Sequence, residues 1–414
     1  MSPETLVKSS PFSSAEFDEY VMSTYARFPL TLVRGSGCRV WDDQGREYLD
    51  FVAGIATCTL GHAHPAMIAA VTEQAQTLVH ISNLYYNTPQ GDLAKWLVEH
   101  SCADRAFFCN SGAEANEAAI KLARKYAHTV RNITHPIIIT ANASFHGRTL
   151  ATITATGQPK YQQNFDPLVP GFHYVPYNDV EALKSAIADL DRNEPQVAAI
   201  MLEGLQGEGG VRPGDRAYFQ TVRQLCDEKG ILLIMDEVQV GMGRSGKLWG
   251  YENLGIEPDI FTSAKGLGGG VPIGAMLCKS HCNVFSAGDH ASTFGGNPFA
   301  CAVALAVCHT LERENLLANV QARGEQLRSG LIQLAQKFPH LISDVRGWGL
   351  IDGLELSSDS TFTAADIVKI AIQEGALLVP AGPKVLRFVP PLIVTSEEID
   401  RAIAAVDRAL TTLN

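Results

Sequence analysis

Between about residues 66 and 300, short runs that are apolar throughout recur at 106–109, 136–140, 197–202, 231–235, 260–263 and 274–278, with helical stretches between them. A strand covered on both faces has no polar side to alternate with, so unbroken apolar runs predict parallel strands buried between helices. The expected fold class is α/β. The flanks have a different texture. Residues 37–51 read as two short antiparallel strands around an Asp43-Gln44-Gly45 turn. After residue 300, helices are predicted over 302–312, 320–338 and 363–374, with short strands ending near 389. We expect residues 1–65 and 306–414 to form one smaller domain beside a large domain at 66–305. No internal repeat is visible.

The chain has 414 residues, enough for two cores. Its net charge of −11 argues against nucleic acid or an anionic membrane surface as partner, and so favours a small molecule. Nine scattered cysteines without a C-x-x-C pair fit reduced thiols better than disulfides or a zinc site. No apolar stretch approaches the roughly 20 residues of a spanning helix. The acidic N-terminal stretch resembles neither a signal nor a transit peptide. A cytoplasmic protein is expected.

Open α/β sheets bind ligands beyond the carboxyl ends of their strands, and the residues there carry the chemistry. Lys265 follows the run 260–263 and opens a loop of glycines, 266–270. Asp236 ends the run 231–235. A buried carboxylate needs a cation, and a protonated pyridine nitrogen is one. A lysine whose amine is kept uncharged can hold an aldehyde covalently and move protons. Pyridoxal 5'-phosphate is therefore the cofactor to test. Ser111 and Glu114 form a capping box for a helix that begins with Gly112 and Ala113, an anion site suited to a phosphate. Gln239 could bond the ring hydroxyl. The glycine run 241–247 matches G-x-G-x-x-G, but Leu248 stands where a P-loop needs Ser or Thr, and residues 247–255 make a poor helix. A nucleotide site there is the reading from another class. His62 and His64, without a third ligand nearby, read as a turn before a helix, and no metal site is expected.

Several segments in order resemble the class III (ω-amino) aminotransferases of fold-type I: 110–117, 145–148, 203–209, 236–239, 263–266 and 292–298. The resemblance covers nearly the whole chain and is strongest, through 24–29, 82–86 and 145–148, to the branch acting on acetylornithine. It implies a mixed, mostly parallel sheet and a smaller α+β domain built from both chain ends. It implies cofactor contacts from Ser111, Gly112, Ala113, Phe145, His146, Asp236, Val238, Gln239 and Lys265, with Phe145 stacked on the ring. Thr293 would reach the cofactor of a second subunit, so a homodimer is expected. For substrates it implies Tyr25, Arg148, Ser292 and Arg387, the last clamping the α-carboxylate of glutamate or 2-oxoglutarate. Glu208 would pair with Arg387 when the ω-amino donor is bound and release it for the dicarboxylate. Ornithine, succinylornithine and 4-aminobutyrate remain open as donors. One departure concerns the loop before Glu208, where the family commonly has Glu-Pro and this chain has Glu203-Gly204. Glycine lacks the fixed φ of proline, which puts the setting of that loop in question.

Overall fold

A computed structural model of the chain describes residues 14–192 and 196–413; of the expected first segment, residues 1–13 lie outside these. The apolar runs form a seven-stranded sheet in the order Arg105–Cys109, Gly274–Cys278, Ile260–Ser263, Leu232–Asp236, Gln196–Glu203, Pro136–Ala141, Phe172–Val175. Six strands point one way, and Gly274–Cys278 runs antiparallel to both of its neighbours. The sheet is thus mixed and mostly parallel. The edge strand Phe172–Val175 was not expected from the pattern.

Alternation along the central strands shows why they are apolar throughout. Ile200, Leu202, Leu233 and Met235 enter one core cluster, while Ala199, Met201, Leu232 and Ile234 enter another across the sheet. Burying a large aliphatic side chain stabilises by roughly 1.5–3 kcal/mol, so both faces contribute. The helix Gly112–Thr129 lies on the second face through Ala118, Ala119, Leu122 and Ala123. Its small side chains let the backbone approach the sheet closely.

The two ends of the chain meet in space. Leu32–Ser36, Arg39–Asp42 and Glu47–Asp50 form an antiparallel series, and Ala376–Leu377 adds to it in parallel beside Glu47–Asp50. A second four-stranded sheet holds Ile342–Trp348, Ile351–Leu356, Val385–Phe388 and Val379–Pro380. The later helices are Pro298–Arg313, Leu316–Lys337 and Ala364–Gln373, followed by an unexpected one, Ser396–Leu413.

Ala53, Gly54, Ile55 and Ala56 form a left-handed turn, with φ of 48°, 64°, 63° and 60°. His62 pairs with Asp50 at 2.7 Å, and His64 caps the helix Pro65–Thr77 by accepting from the Ala66 N–H. All nine cysteines, each a described residue, are unpaired. Among the described residues no helix is long and apolar enough to cross a membrane.

Candidate active site

The parallel register sets Glu203 level with Asp236, and Asp236 level with Thr262, three residues before Lys265. These ends, the start of the helix Gly112–Thr129 and residues 145–148 enclose a cavity of about 420 Å³. Ser111, Gly112, Ala113, Phe145, His146, Arg148, Asp236, Val238, Gln239 and Lys265 all line it. Sequence reasoning had singled out every one of them.

Lys265 sits at the first position of a single 3-10 turn, Lys265–Leu267, with φ of 40°. That left-handed backbone is costly for a lysine, and such strain persists only where the surroundings enforce it. Its Nζ has no hydrogen-bond partner among the described residues. Burial pushes its pKa below the usual lysine range, and nearby Arg387 adds to this against the opposing pull of Glu208, Asp236 and Glu203. The shift favours the uncharged amine at the cavity wall.

Asp236 is held from behind. Its Oδ2 accepts from His146 Nδ1 and Asn116 Nδ2, both at 2.8 Å, and its Oδ1 accepts from the Val238 N–H at 3.0 Å. Asn116 also donates to the His146 carbonyl at 2.7 Å and accepts from Thr262 Oγ1 at 2.7 Å. His146 therefore acts through Asp236, fixing a carboxylate that is 5% exposed. Asn116 escaped sequence reasoning because it hides among the alanines of a helix face. A polar residue on an otherwise apolar face was the available signal.

The helix start differs from the expected capping box in an informative way. Ser111 accepts from the Glu114 N–H at 3.2 Å as expected, but the Glu114 carboxylate reaches back to the Asn110 N–H at 2.7 Å. It does not cover the N–H groups of Gly112 and Ala113, which find no acceptor among the described residues. Free amides at a helix start facing the cavity make an anion site.

Glu203 is the second residue missed. It is 7% exposed, lines the cavity, and accepts from the Phe145 N–H at 3.1 Å. Burial first, and then the charge of Asp236, push its pKa well above the carboxylate range, which favours its protonated form. The Gly204 carbonyl accepts from the Gly214 N–H at 2.9 Å and from Tyr177 Oη at 3.1 Å. The loop is pinned without a proline.

Of the two expected substrate arginines, Arg148 lines the cavity and Arg387 does not. Arg148 stacks on the Tyr161 ring at 3.9 Å and has no ion pair among the described residues. Arg387, fully buried, donates from Nη1 to Glu208 Oε1 at 2.6 Å and to Gln239 Oε1 at 2.9 Å. Burial opposes the charge of Glu208, but Arg387 outweighs it and holds the carboxyl below its usual range. Gln239 is thereby engaged with Arg387, beside the cavity it lines.

Tyr25, Ser292 and Thr293 do not line this cavity. Tyr25 is 74% exposed, with the Arg27 guanidinium over its ring. Ser292 accepts from Asn110 Nδ2 at 3.2 Å, and Thr293 is exposed. The glycine run 241–247 is followed only by the four-residue helix Tyr251–Leu254. Among the described residues one group, Asp259, His281 and Cys282, has the spacing of metal ligands. Asp259 there already accepts from Arg223 and the Leu233 N–H.

An unpaired lysine, a fixed carboxylate, free helix amides and an unpaired arginine on one cavity, with a buried arginine–glutamate pair nearby, suit a transaminase. The chain belongs to the class III aminotransferases, whose family model, Aminotransferase class-III, matches residues 20–410. It is 73% identical over 405 residues to the acetylornithine aminotransferase of Nostoc sp. (strain PCC 7120), covering 98% of this chain and 95% of that one. It is 74% identical over 402 residues to the acetylornithine aminotransferase of Thermosynechococcus vestitus, covering 97% and 98%. Among solved structures, it is similar to the N-acetylornithine aminotransferase of Stenotrophomonas maltophilia at 42% identity and TM-score 0.81, covering 94% and 97%. It also matches the ornithine aminotransferase of Toxoplasma gondii at 36% identity and TM-score 0.91, covering 95% and 93%. The fold is fold-type I, and the family implies pyridoxal phosphate. The donor set fits that group: free amides for its phosphate, Asp236 for its pyridinium and an unpaired Lys265 for its aldehyde.

Proposed function

We propose that this enzyme transfers the δ-amino group of N2-acetyl-L-ornithine to 2-oxoglutarate, giving N-acetyl-L-glutamate 5-semialdehyde and L-glutamate, a step of arginine biosynthesis. The observation that carries the chemistry is the half-buried, unpaired Lys265 sharing one cavity with Asp236. The high identity to two acetylornithine aminotransferases supports the choice of donor. When bound, pyridoxal phosphate supplies an electron sink for the carbanion left as the donor carbon loses its proton.

The chain's own residues do the rest. Lys265 Nζ, its pKa lowered by burial, would take the proton from the donor δ-carbon and later return one. Asp236, oriented by His146 and Asn116, keeps the pyridine nitrogen protonated. Ser111, Gly112 and Ala113 would hold the phosphate through backbone N–H groups and the serine hydroxyl, and Phe145 and Val238 would contact the ring. Arg148 receives the α-carboxylate of the donor. Glu208 masks Arg387 while the donor is bound and yields it to the dicarboxylate, whose two oxygens match the guanidinium fork.

The proposal includes a homodimer in which Thr293 and Ser292 serve the partner's site and Tyr25 reaches substrate. Leu84, Tyr85, Tyr86 and Phe294, between 61% and 105% exposed, support a covered face there. It also includes a large domain at 66–305 and a smaller one from both chain ends, which the parallel pairing of Ala376–Leu377 with Glu47–Asp50 supports. Unpaired thiols support a cytoplasmic setting.

Mixing the holoenzyme with each amine and following the cofactor spectrum tests this reading. N2-acetylornithine should convert the cofactor to its aminated form with the highest kcat/KM. The high TM-score to an ornithine aminotransferase favours a competing reading, so higher kcat/KM for free ornithine would overturn the donor assignment.

A further inference from the structure

The glycine run 241–247 is left without a task by the reading above, yet residues 241–246 are buried. The Glu237 carboxylate closes the base of this loop by accepting from the Gly250 and Tyr251 N–H groups at 2.6 and 2.8 Å. On one side the loop abuts the turn that carries the catalytic lysine. A Cβ on Gly266 would lie 3.2 Å from Met242 Cβ. The Gly266 carbonyl accepts from Thr59 Oγ1 at 2.8 Å, and the Thr59 carbonyl accepts from the Leu392 N–H at 2.8 Å.

On the other side stands Arg244, 3% exposed and without an ion pair among the described residues. Its Nη1 donates to the Leu350 carbonyl at 2.9 Å and, in a shorter contact, to the Pro390 carbonyl. The Leu350 N–H returns a bond to the Arg244 carbonyl at 3.0 Å. Gly349 makes the approach possible: its φ is 52°, and a Cβ there would lie 2.6 Å from that carbonyl. Burying a guanidinium without a counter-charge is costly, and an apolar side chain of similar volume would fill the space at lower cost. The guanidinium adds a tie between two backbone segments, one of which, at Pro390, is three residues beyond Arg387.

We propose that Arg244 is a positioning residue for Arg387. It fixes the exit of the strand Val385–Phe388 against the loop beneath Lys265, and so sets affinity for the dicarboxylate without touching it. The inference rests on the reading of Arg387 as the dicarboxylate clamp. Both bonds leave one nitrogen, Nη1, and lysine at 244 keeps the charge but on a shorter side chain that does not reach that position.

The test follows the two half-reactions separately in single turnovers of the holoenzyme. Arg244→Lys should raise the apparent KM for glutamate roughly tenfold while leaving that for N2-acetylornithine within about twofold, the size of coupling expected from a residue one contact removed. Gly349→Ala presses on the same contact from the opposite side and should show the same bias; it decides alone if Arg244→Lys does not fold. Val222→Ala, a cavity in the core of the helix Arg216–Lys229, controls for lost stability. Equal shifts in both half-reactions, no shift, or the same bias in Val222→Ala would overturn the proposal. Arg387→Lys separates the two failures. If it spares glutamate, the clamp reading falls; if it weakens glutamate while Arg244→Lys and Gly349→Ala do not, only the present inference falls.

Discussion

Replacing Glu208 by glutamine should lower stability and strengthen glutamate binding at once. Arg387 is fully buried, and Glu208 is its one ion-pair partner among the described residues, at 2.6 Å with its side chain 22% exposed. Removing one member of a buried pair costs about 3–5 kcal/mol because a charge is left uncompensated. Glutamine retains an acceptor and Gln239 stays in place, so we expect the low end, about 3 kcal/mol. At roughly 2 °C per kcal/mol for a chain of this size, Tm should fall by about 6 °C. In the wild type a dicarboxylate must displace Glu208 from Arg387, whereas in Glu208→Gln it meets an unclaimed guanidinium. Apparent KM for glutamate should therefore drop by about tenfold, and turnover of the ω-amino donor should suffer from glutamate competition. Differential scanning fluorimetry with and without 2-oxoglutarate, beside half-reaction kinetics, reads both effects. The ligand should restore more Tm to the variant than to the wild type. An unchanged Tm together with an unchanged preference between donor and glutamate would refute the switch.

Other expectations can be checked with less effort. Lys265→Ala should lower turnover by at least about a thousandfold and remove the visible absorbance of the covalently held cofactor; ordinary turnover would refute the assignment of the base. The folded pKa of Glu203 lies well above its unfolded value. Its contribution is therefore fully present below the unfolded pKa and is lost as pH rises through the folded one. Glu203→Gln should then gain stability relative to wild type in mildly alkaline buffer and not in acid, and a pH-independent difference would count against a protonated Glu203. Gly204→Pro should raise Tm slightly, by about 0.4–1 kcal/mol of unfolded-state entropy, because a Cβ there meets only ordinary contacts at 3.4 Å or more; a fall in Tm would mean that the loop needs glycine.

The central strands were legible because being apolar on both faces is a property of each run by itself. Strand direction was not. Gly274–Cys278 is as buried as its neighbours, and its reversal arises from the length of the connection rather than from its residues. Phe172–Val175 was missed because it is a short edge strand, three of its four residues only half-buried. The helix Ser396–Leu413 did carry a signal, since Ile399, Ala402, Val406 and Leu410 recur at helical spacing. At the site, Lys265 and Asp236 could be read because a polar residue ending an apolar run stands out. Asn116 and Glu203 gain their importance from what the fold sets beside them, Asp236 in both cases. The retreat of the Glu114 carboxylate to Asn110 is a choice between two backbone donors one residue apart, which no local pattern distinguishes.

The left-handed turn at Ala53–Ala56 has a consequence for how this enzyme could be improved. Three of its four residues carry a side chain in a conformation that costs about 1–2 kcal/mol each, and Ile55 is β-branched. Thr57, the next residue, lines the cavity. Selection for heat resistance alone would find glycine rewarding at Ile55, which is 37% exposed, since it removes the strain there without touching the core. The same exchange would free the wall of the cavity to move, so thermal robustness and catalytic rate should trade against each other at these residues more sharply than elsewhere in the chain.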